Sequence, residues 1–306
     1  MVRGHAADQI VGHDGVGLIP VPHADLTPDG LVQLAHDMVP RLRERQVECQ
    51  RLGRLHPDSH DEFVAAGFYR ILQPRRFGGY EFGLPVFARV MIEVARGCGS
   101  SGWVLALTGG HAHTLSAFFP EQAQVECFGA NGEFRSPLTG QAEATATPVD
   151  GGFRLTGGWN YSTGCDIATH FMGTVTLAAT DPPRRLNTLI RREDFRIVDN
   201  WRVIGMQGTG SRRVVVEDVF VPSYRTIEGP REYAVARNAP GRTVHANPMY
   251  RAGRLGSVLL GEMAAVAVGI AKGALDVYEG ELSRKKLSLP PFAVRSSVPE
   301  YQRHYG

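Results

Sequence analysis

Val203-Ile-Gly-Met-Gln-Gly-Thr-Gly-Ser-Arg-Arg-Val-Val-Val-Glu-Asp-Val-Phe-Val-Pro222 is the stretch on which the reading of the fold turns. Its second half, Val214 to Val221, is dense in β-branched and aromatic side chains and is stopped by Pro222, so it predicts a strand. Its first half holds Gly208-Thr209-Gly210-Ser211, which at first sight looks like a phosphate loop. No lysine follows it, and it leads into a strand. The helix N-terminus that would hold a phosphate is missing, and the reading is a β-turn. Upstream, Phe153-Arg-Leu-Thr and Trp159-Asn-Tyr-Ser flank Gly157-Gly158, a strand–turn–strand signal. Phe171 to Leu177 and Leu186 to Ile190 are strand-like too. A β block over about 132–226 is expected.

Helical patterns lie on both sides of it. Thr27-Pro28-Asp29 offers a capping hydroxyl, a proline for the first turn and an early acid. Leu31, Leu34, Ala35, Met38 and Val39 then recur at helical spacing, with Pro40 expected to interrupt or kink the helix. Further helices are predicted after Asp58-Ser59, from Pro85 to Ala95, from Trp103 to Phe119 and after Pro120, with Gly97 to Gly102 read as a break. Helix returns from Leu255 to about Lys285. The order is α, β, α: a flexible arm over 1–25, an N-terminal helical domain over 26–131, the β domain over 132–226, a linker over 227–247 and a helical C-terminal part over 248–306.

Composition narrows the function. Of 306 residues, 43% are hydrophobic and 21% charged, which excludes disorder as the main state. Lys and Arg number 33 against 31 Asp and Glu, with no long basic run, so nucleic acid is not the expected partner. Cysteines stand at 49, 98, 127 and 165, without C-x-x-C spacing. That favours a reduced, cytoplasmic setting. The first thirty residues lack the apolar core of a secretory signal. The most apolar run, Leu255 to Ala271, carries Glu262 and is short for a bilayer span, so it is read as a bundle helix, with no membrane expected. Gly269-Ile-Ala-Lys-Gly273 has the spacing of closely packed helices. His111 and His113 point to different faces of a helix and cannot chelate one metal, so no metal is expected. No serine elbow or Cys/His pair is present. Trp103, Ser136 and Trp159 to Gly164 offer an indole, hydroxyls and backbone N–H groups suited to a flat heteroaromatic ligand, or else to core tryptophans and a turn.

The chain resembles the acyl-CoA dehydrogenase superfamily, and within it the two-component, reduced-flavin-dependent aromatic hydroxylases. Four stretches carry the resemblance: Ala66-Gly-Phe-Tyr-Arg-Ile-Leu-Gln-Pro-Arg-Arg-Phe-Gly-Gly79, Gly102-Trp-Val104 followed by Gly110-His111, Trp159-Asn-Tyr-Ser-Thr-Gly-Cys-Asp166, and the stretch from Val203 to Pro222. It implies an α+β fold with an N-terminal helical domain, a β-barrel-like middle domain and a C-terminal helical bundle. It also implies an oxygenase component that takes reduced flavin, FMNH2 or FADH2, from a separate NAD(P)H-dependent flavin reductase. O2 then gives a flavin C4a-hydroperoxide that hydroxylates a phenolic or polycyclic aromatic. By this resemblance Trp103 lines the flavin pocket and Ser136 faces the flavin pyrimidine edge. Tyr161, Ser162 and Thr163 wrap the ring near N5, Thr163 acting on the intermediate. Arg284 reaches a flavin phosphate across a subunit interface of a homotetramer, a dimer of dimers. His111, eight residues after Trp103, contacts the substrate phenol and favours its phenolate.

The resemblance also sets a rival. The C-terminal bundle of the family has four helices, whereas this chain supplies one long helix and the start of a second. A C-terminally truncated member is expected, exposing its long helix and prone to self-association. Glu262 lies where a minority of acyl-CoA dehydrogenases carry their base, so an acyl thioester dehydrogenase is one alternative. A non-catalytic oligomer partner is the other. The hydroxylase reading leaves Glu262 without a role.

Overall fold

A computed structural model describes residues 19–129, 131–178, 180–229, 239–251 and 255–305. The expected arm up to residue 18 and the middle of the expected linker, 230–238, lie outside the described residues. The chain runs as seven helices, seven strands and three further helices among those described: α1 (Pro28–Glu44), α2 (Gln46–Leu52), α3 (Pro57–Ala65), α4 (Leu84–Gly97), α5 (Gly99–Gly109), α6 (His111–Phe118), α7 (Glu121–Phe128), β1 (Leu138–Val149), β2 (Gly152–Ser162), β3 (His170–Leu177), β4 (Arg185–Arg191), β5 (Arg196–Val198), β6 (Arg212–Pro222), β7 (Thr226–Glu228), α8 (Gly241–Val244), α9 (Leu255–Arg284) and α10 (Pro299–Tyr305).

Thr27 caps α1 as expected, its Oγ1 accepting from the Gly30 N–H at 3.1 Å. Pro40 does not interrupt the helix, which runs on to Glu44. The expected break over Gly97 to Gly102 shrinks to one residue, Cys98, whose φ of −150° is extended. Gly99 and Gly102 stay helical and serve close packing. A Cβ on Gly102 would stand 2.6 Å from that of Ala95, and one on Gly99 2.9 Å from the Ile270 side chain. The Gly157-Gly158 turn is likewise corrected. β2 passes straight through both glycines, and the turn lies before it, at Asp150 and Gly151. Gly157 has φ 140° and would bring a Cβ within 2.6 Å of the Ala144 backbone on β1. It marks a register shift against β6, not a reversal.

The strands form one seven-stranded sheet in the order β5-β6-β2-β1-β3-β4-β7. Neighbours are antiparallel except β1 and β3, which run parallel. The sheet closes over Trp159, Phe171, Leu155, Ile190 and Val214, all fully buried. The Trp159 indole N–H donates to Thr174 O at 2.7 Å.

The long helix α9 packs along α4 and α5. Its Gly269 and Gly273 would each place a Cβ 2.4 Å from a backbone oxygen of α4, those of Ile92 and Arg96, so the close approach expected from their spacing is present. Asp276 accepts from Arg43 and Arg96 at 2.7–2.8 Å, and Lys272 donates to Glu93 at 2.9 Å. By length and composition alone α9 could cross a membrane. Here one face lies against α4, while Leu260, Val268, Ile270, Leu275 and Val277 stand outward, each about half exposed or more.

Candidate active site

The α5–α6 junction, Gly109-Gly110-His111, brings one helix end against the first residues of the β domain. The Ser136 N–H donates to Thr108 O at 3.3 Å, fixing that segment beside α5. The His111 Nδ1 lies 2.7 Å from Ser136 O. A carbonyl only accepts, so Nδ1 carries the proton and Nε2 keeps its lone pair. Nε2 is buried and has no partner among the described residues. Burial holds the imidazole down at about 4, so at neutral pH it is an uncharged acceptor. His113 differs: its Nε2 meets Met249 O at 2.9 Å and its ring stacks on Tyr250, a packing role.

The loop after β2 packs on the other side of α5. A Cβ on Gly164 would stand 2.6 Å from Thr108 and 3.1 Å from Val104, so this glycine lets the loop meet the helix that carries Trp103. Tyr161 holds a left-handed φ of 59° and is 64% exposed, its ring edge-on to Trp201. A strained, exposed aromatic residue is a common mark of a ligand clamp. Ser162 is fully buried and donates to Trp159 O at 3.2 Å, which leaves its oxygen free to accept. Thr163 Oγ1 lies 2.8 Å from Ser211 Oγ, and Ser211 reaches Thr209 at 2.7 Å. The 3₁₀ turn Gln207–Thr209, followed by Gly210 and Ser211, thus buttresses this loop.

Trp201 donates to Met206 O and Gln207 O, and Met206 in turn lines a cleft with Trp103, Met263, Val266 and Ile270. The cleft has a volume of about 510 Å³. That lies within the range of small-molecule sites, ~300–1,000 Å³. The cleft is wide enough for a flat ring system, with Trp103 and Met206 among its walls; Tyr161 to Gly164 do not line it, and Tyr161 approaches it only through Trp201, which is bonded to Met206 O. Ser136 is buried, its Oγ donating to Pro137 O and its carbonyl accepting from His111 Nδ1.

The structure sets Ser136 against His111 and Thr108, and Gly164, next to Thr163, against Thr108 and Val104 of α5; Trp103, also on α5, lines the cleft, which none of His111, Ser136, Tyr161, Ser162 and Thr163 lines. It does not bring Arg284 to them. That guanidinium is exposed at the end of α9, its Nε donating to Gly280 O, and at ~1.5 Å rise per residue it stands ~33 Å along the helix from Glu262. Thr114 is not among the residues expected from the sequence, and Glu262 is expected only in the acyl thioester alternative. Thr114 follows His111 at i+3, a spacing that puts the two on one helix face, and Glu262 is a lone acid in an apolar run. Both signals were available. Among the described residues no group of His, Cys, Asp and Glu could hold a metal ion.

No protein-family model matches the chain. The flavin-dependent monooxygenase oxygenase subunit HsaA of Rhodococcus jostii (strain RHA1) is 36% identical over 244 residues, 79% of this chain and 62% of that protein. The pigment production hydroxylase of Rhodococcus sp. (strain ATCC 21145) is 34% identical over 272 residues, 86% of this chain and 69% of that protein. The crystal structure of the 3-HSA hydroxylase from Rhodococcus sp. RHA1 superposes with a TM-score of 0.77 at 35% identity, covering 82% of this chain and 65% of that one. The chain therefore spans rather under two thirds of the length of the first of these relatives.

Proposed function

From the premise that this chain belongs to the flavin-dependent monooxygenase oxygenase subunits of acyl-CoA dehydrogenase-like fold, we propose that it acts as the oxygenase component of a two-component aromatic hydroxylase. Reduced flavin, FMNH2 or FADH2, is its cofactor and O2 its co-substrate. When bound, the flavin supplies the activation of O2; the protein supplies position and electrostatics.

One observation carries the reading. His111 is a buried neutral imidazole whose tautomer is fixed by Ser136 O, leaving an unpartnered acceptor at Nε2. That is an acceptor for the O–H of a phenol, and the hydrogen bond it takes draws electron density onto the ring carbon to be oxidised. Trp103 and Tyr161 wall the ring system, Ser136 holds the pyrimidine edge, and Ser162 and Thr163 receive the edge near N5. The burial of Ser162 and Thr163 keeps water from that edge. Arg284, remote within this chain, serves a flavin phosphate of a neighbouring copy in a homotetramer. The electrons come from a separate NAD(P)H-dependent flavin reductase, the substrate is a phenolic or polycyclic aromatic, and the setting is cytoplasmic. Monooxygenase relatives and a Glu262 held neutral by burial both weigh against the acyl thioester alternative.

The test is anaerobic titration of the protein with reduced FMN and with FADH2, followed by O2 and a panel of phenols. Hydroxylated product that requires reduced flavin and O2 supports the proposal. Tight retention of neither flavin would favour the non-catalytic partner instead.

A further inference from the structure

Buried polar groups in folded proteins are nearly all hydrogen-bonded, so a knot of them without partners needs an explanation. Four such groups lie on α6 and α9, and one of them, His113 Nδ1, belongs to a ring already held by Met249 O and packed on Tyr250. Glu262 is 2% exposed, and neither carboxyl oxygen has a partner among the described residues. A Cβ on Gly110 would stand 2.0 Å from its Oε1, so the carboxyl lies against the backbone of the residue next to His111. His111 Nε2 is the second orphan and Thr114 Oγ1, one turn further along the same face of α6, is the third. The charges further along α9 are engaged elsewhere: Lys272 with Glu93, and Asp276 with Arg43 and Arg96. Two carboxyl oxygens, one imidazole acceptor and one hydroxyl make a small set of buried, unpartnered polar groups about the α5–α6 junction. A ligand with one oxygen would satisfy His111 and leave Glu262 and Thr114 unpaired.

We propose that Glu262 is a specificity-determining residue of the aromatic site. Together with Thr114 it selects a ring bearing two oxygen functions: a phenol hydroxyl that donates to His111 Nε2, and a second oxygen, carbonyl or hydroxyl, that meets the Glu262 carboxyl. This rests on the phenol-hydroxylase reading above. Burial supports it by keeping the carboxyl uncharged, so that it donates an O–H to the second oxygen, whereas a charged carboxylate would repel an oxygen lone pair.

Calorimetric titration of the protein, flavin-free and with reduced flavin under anaerobic conditions, tests this without turnover. The ligands are the cresols, with one oxygen, against catechol, resorcinol, hydroquinone and the hydroxyacetophenones, with two. In the parent, at least one two-oxygen ring should bind ~10–100-fold more tightly than any cresol, the range expected for one buried hydrogen bond. Glu262→Leu should erase that preference and leave cresol affinity within about twofold, and Glu262→Gln, which can still donate, should keep most of it. Glu262→Met carries the same test if the Leu variant lacks a cooperative melt. Equal affinity of the parent for one- and two-oxygen rings, or a preference that survives Glu262→Leu and Glu262→Met, overturns the proposal alone. His111→Gln should weaken both ligand classes. No binding of any phenol, or binding indifferent to His111→Gln, overturns the hydroxylase reading and the proposal with it.

Discussion

Glu262→Gln should make the protein more stable, and by an amount that depends on pH. The carboxyl is buried with no partner, and burial alone pushes it up from 4.5 to about 8. A group whose folded value is raised contributes its full stability below the unfolded value, near 4.5, and loses it as pH rises through about 8. Each unit is worth ~1.36 kcal/mol, so between pH 4.5 and pH 7 the parent forfeits roughly 3 kcal/mol that a glutamine, which does not titrate, retains. Set against a typical domain stability of ~5–15 kcal/mol, this is a large effect. His111, which follows the glycine against which this carboxyl lies, protonates only at about 4, below this window. Urea unfolding of both proteins, followed by tryptophan fluorescence at pH 5, 6, 7 and 8, measures the difference directly. It should be small at pH 5 and grow steadily to pH 8. A difference that stays flat across that range would show that Glu262 is already ionised and solvated in the folded state, and the argument from burial would be wrong.

His111→Ala should keep flavin binding but lower hydroxylation by ~10²–10⁴-fold, with the consumed O2 recovered as H2O2; unchanged coupling of O2 to product counts against the role. Because the His111 ring protonates only at about 4, the parent's kcat/KM should show no ionisation near 6.5, and a limb at that pH would assign the titration elsewhere. Ser211→Ala removes hydrogen bonds to both Thr163 and Thr209 and should cost about 1–3 kcal/mol. Like Ser162→Ala and Thr163→Ala, it should also raise H2O2 release at unchanged flavin affinity, as read by a peroxide assay. Gly269→Val drives a side chain into the Ile92 carbonyl and should lower stability in chemical denaturation by about 1–3 kcal/mol or more, while outward Val268→Ala changes it by only ~0.5 kcal/mol.

The α, β, α order was legible because the hydrophobic period changes from helical to alternating and back, and backbone geometry forces such a change wherever one face is buried. Strands β3, β4 and β6 fall where their β-branched runs lie. The glycine errors share one cause. Gly99, Gly102, Gly157 and Gly158 were read as chain breakers, yet each sits inside an element. Glycine serves two needs, freedom at positive φ and room for a close neighbour, and a single sequence does not say which. The neighbour that settles it, Ala95, Ile270 or Ala144, is identified only by the fold. At the site, the eight-residue interval from Trp103 to His111 was visible. The hydrogen bond from His111 to Ser136 O, which fixes its tautomer, was not, because a backbone carbonyl leaves no trace in residue type.

Glu262 shows how the scaffold and the site are one construction. On a helix of ~3.6 residues per turn, positions 262, 269, 273 and 276 fall within a narrow stripe. Gly269 and Gly273 lie on that stripe and let α9 approach α4 more closely than any side chain would allow. Asp276, held by Arg43 and Arg96, fixes the rotation at the far end. With spacing and rotation set, the first residue of the stripe has only one place to go. Its carboxyl is carried into the gap at Gly110, where a Cβ on the facing residue would exclude it. The glycine stripe, which the sequence suggests is packing with no chemistry, thus positions Glu262, the one buried acid among the described residues that lacks a partner. Moving α9 outward by even one side-chain radius would let water reach Glu262, return its carboxyl toward the ordinary range and charge it at neutral pH. Gly269→Val therefore tests more than packing. If it also abolishes the pH dependence of the Glu262→Gln difference, helix spacing governs the protonation of that carboxyl. If that dependence persists in the Gly269→Val background, the carboxyl is kept neutral by its immediate neighbours alone.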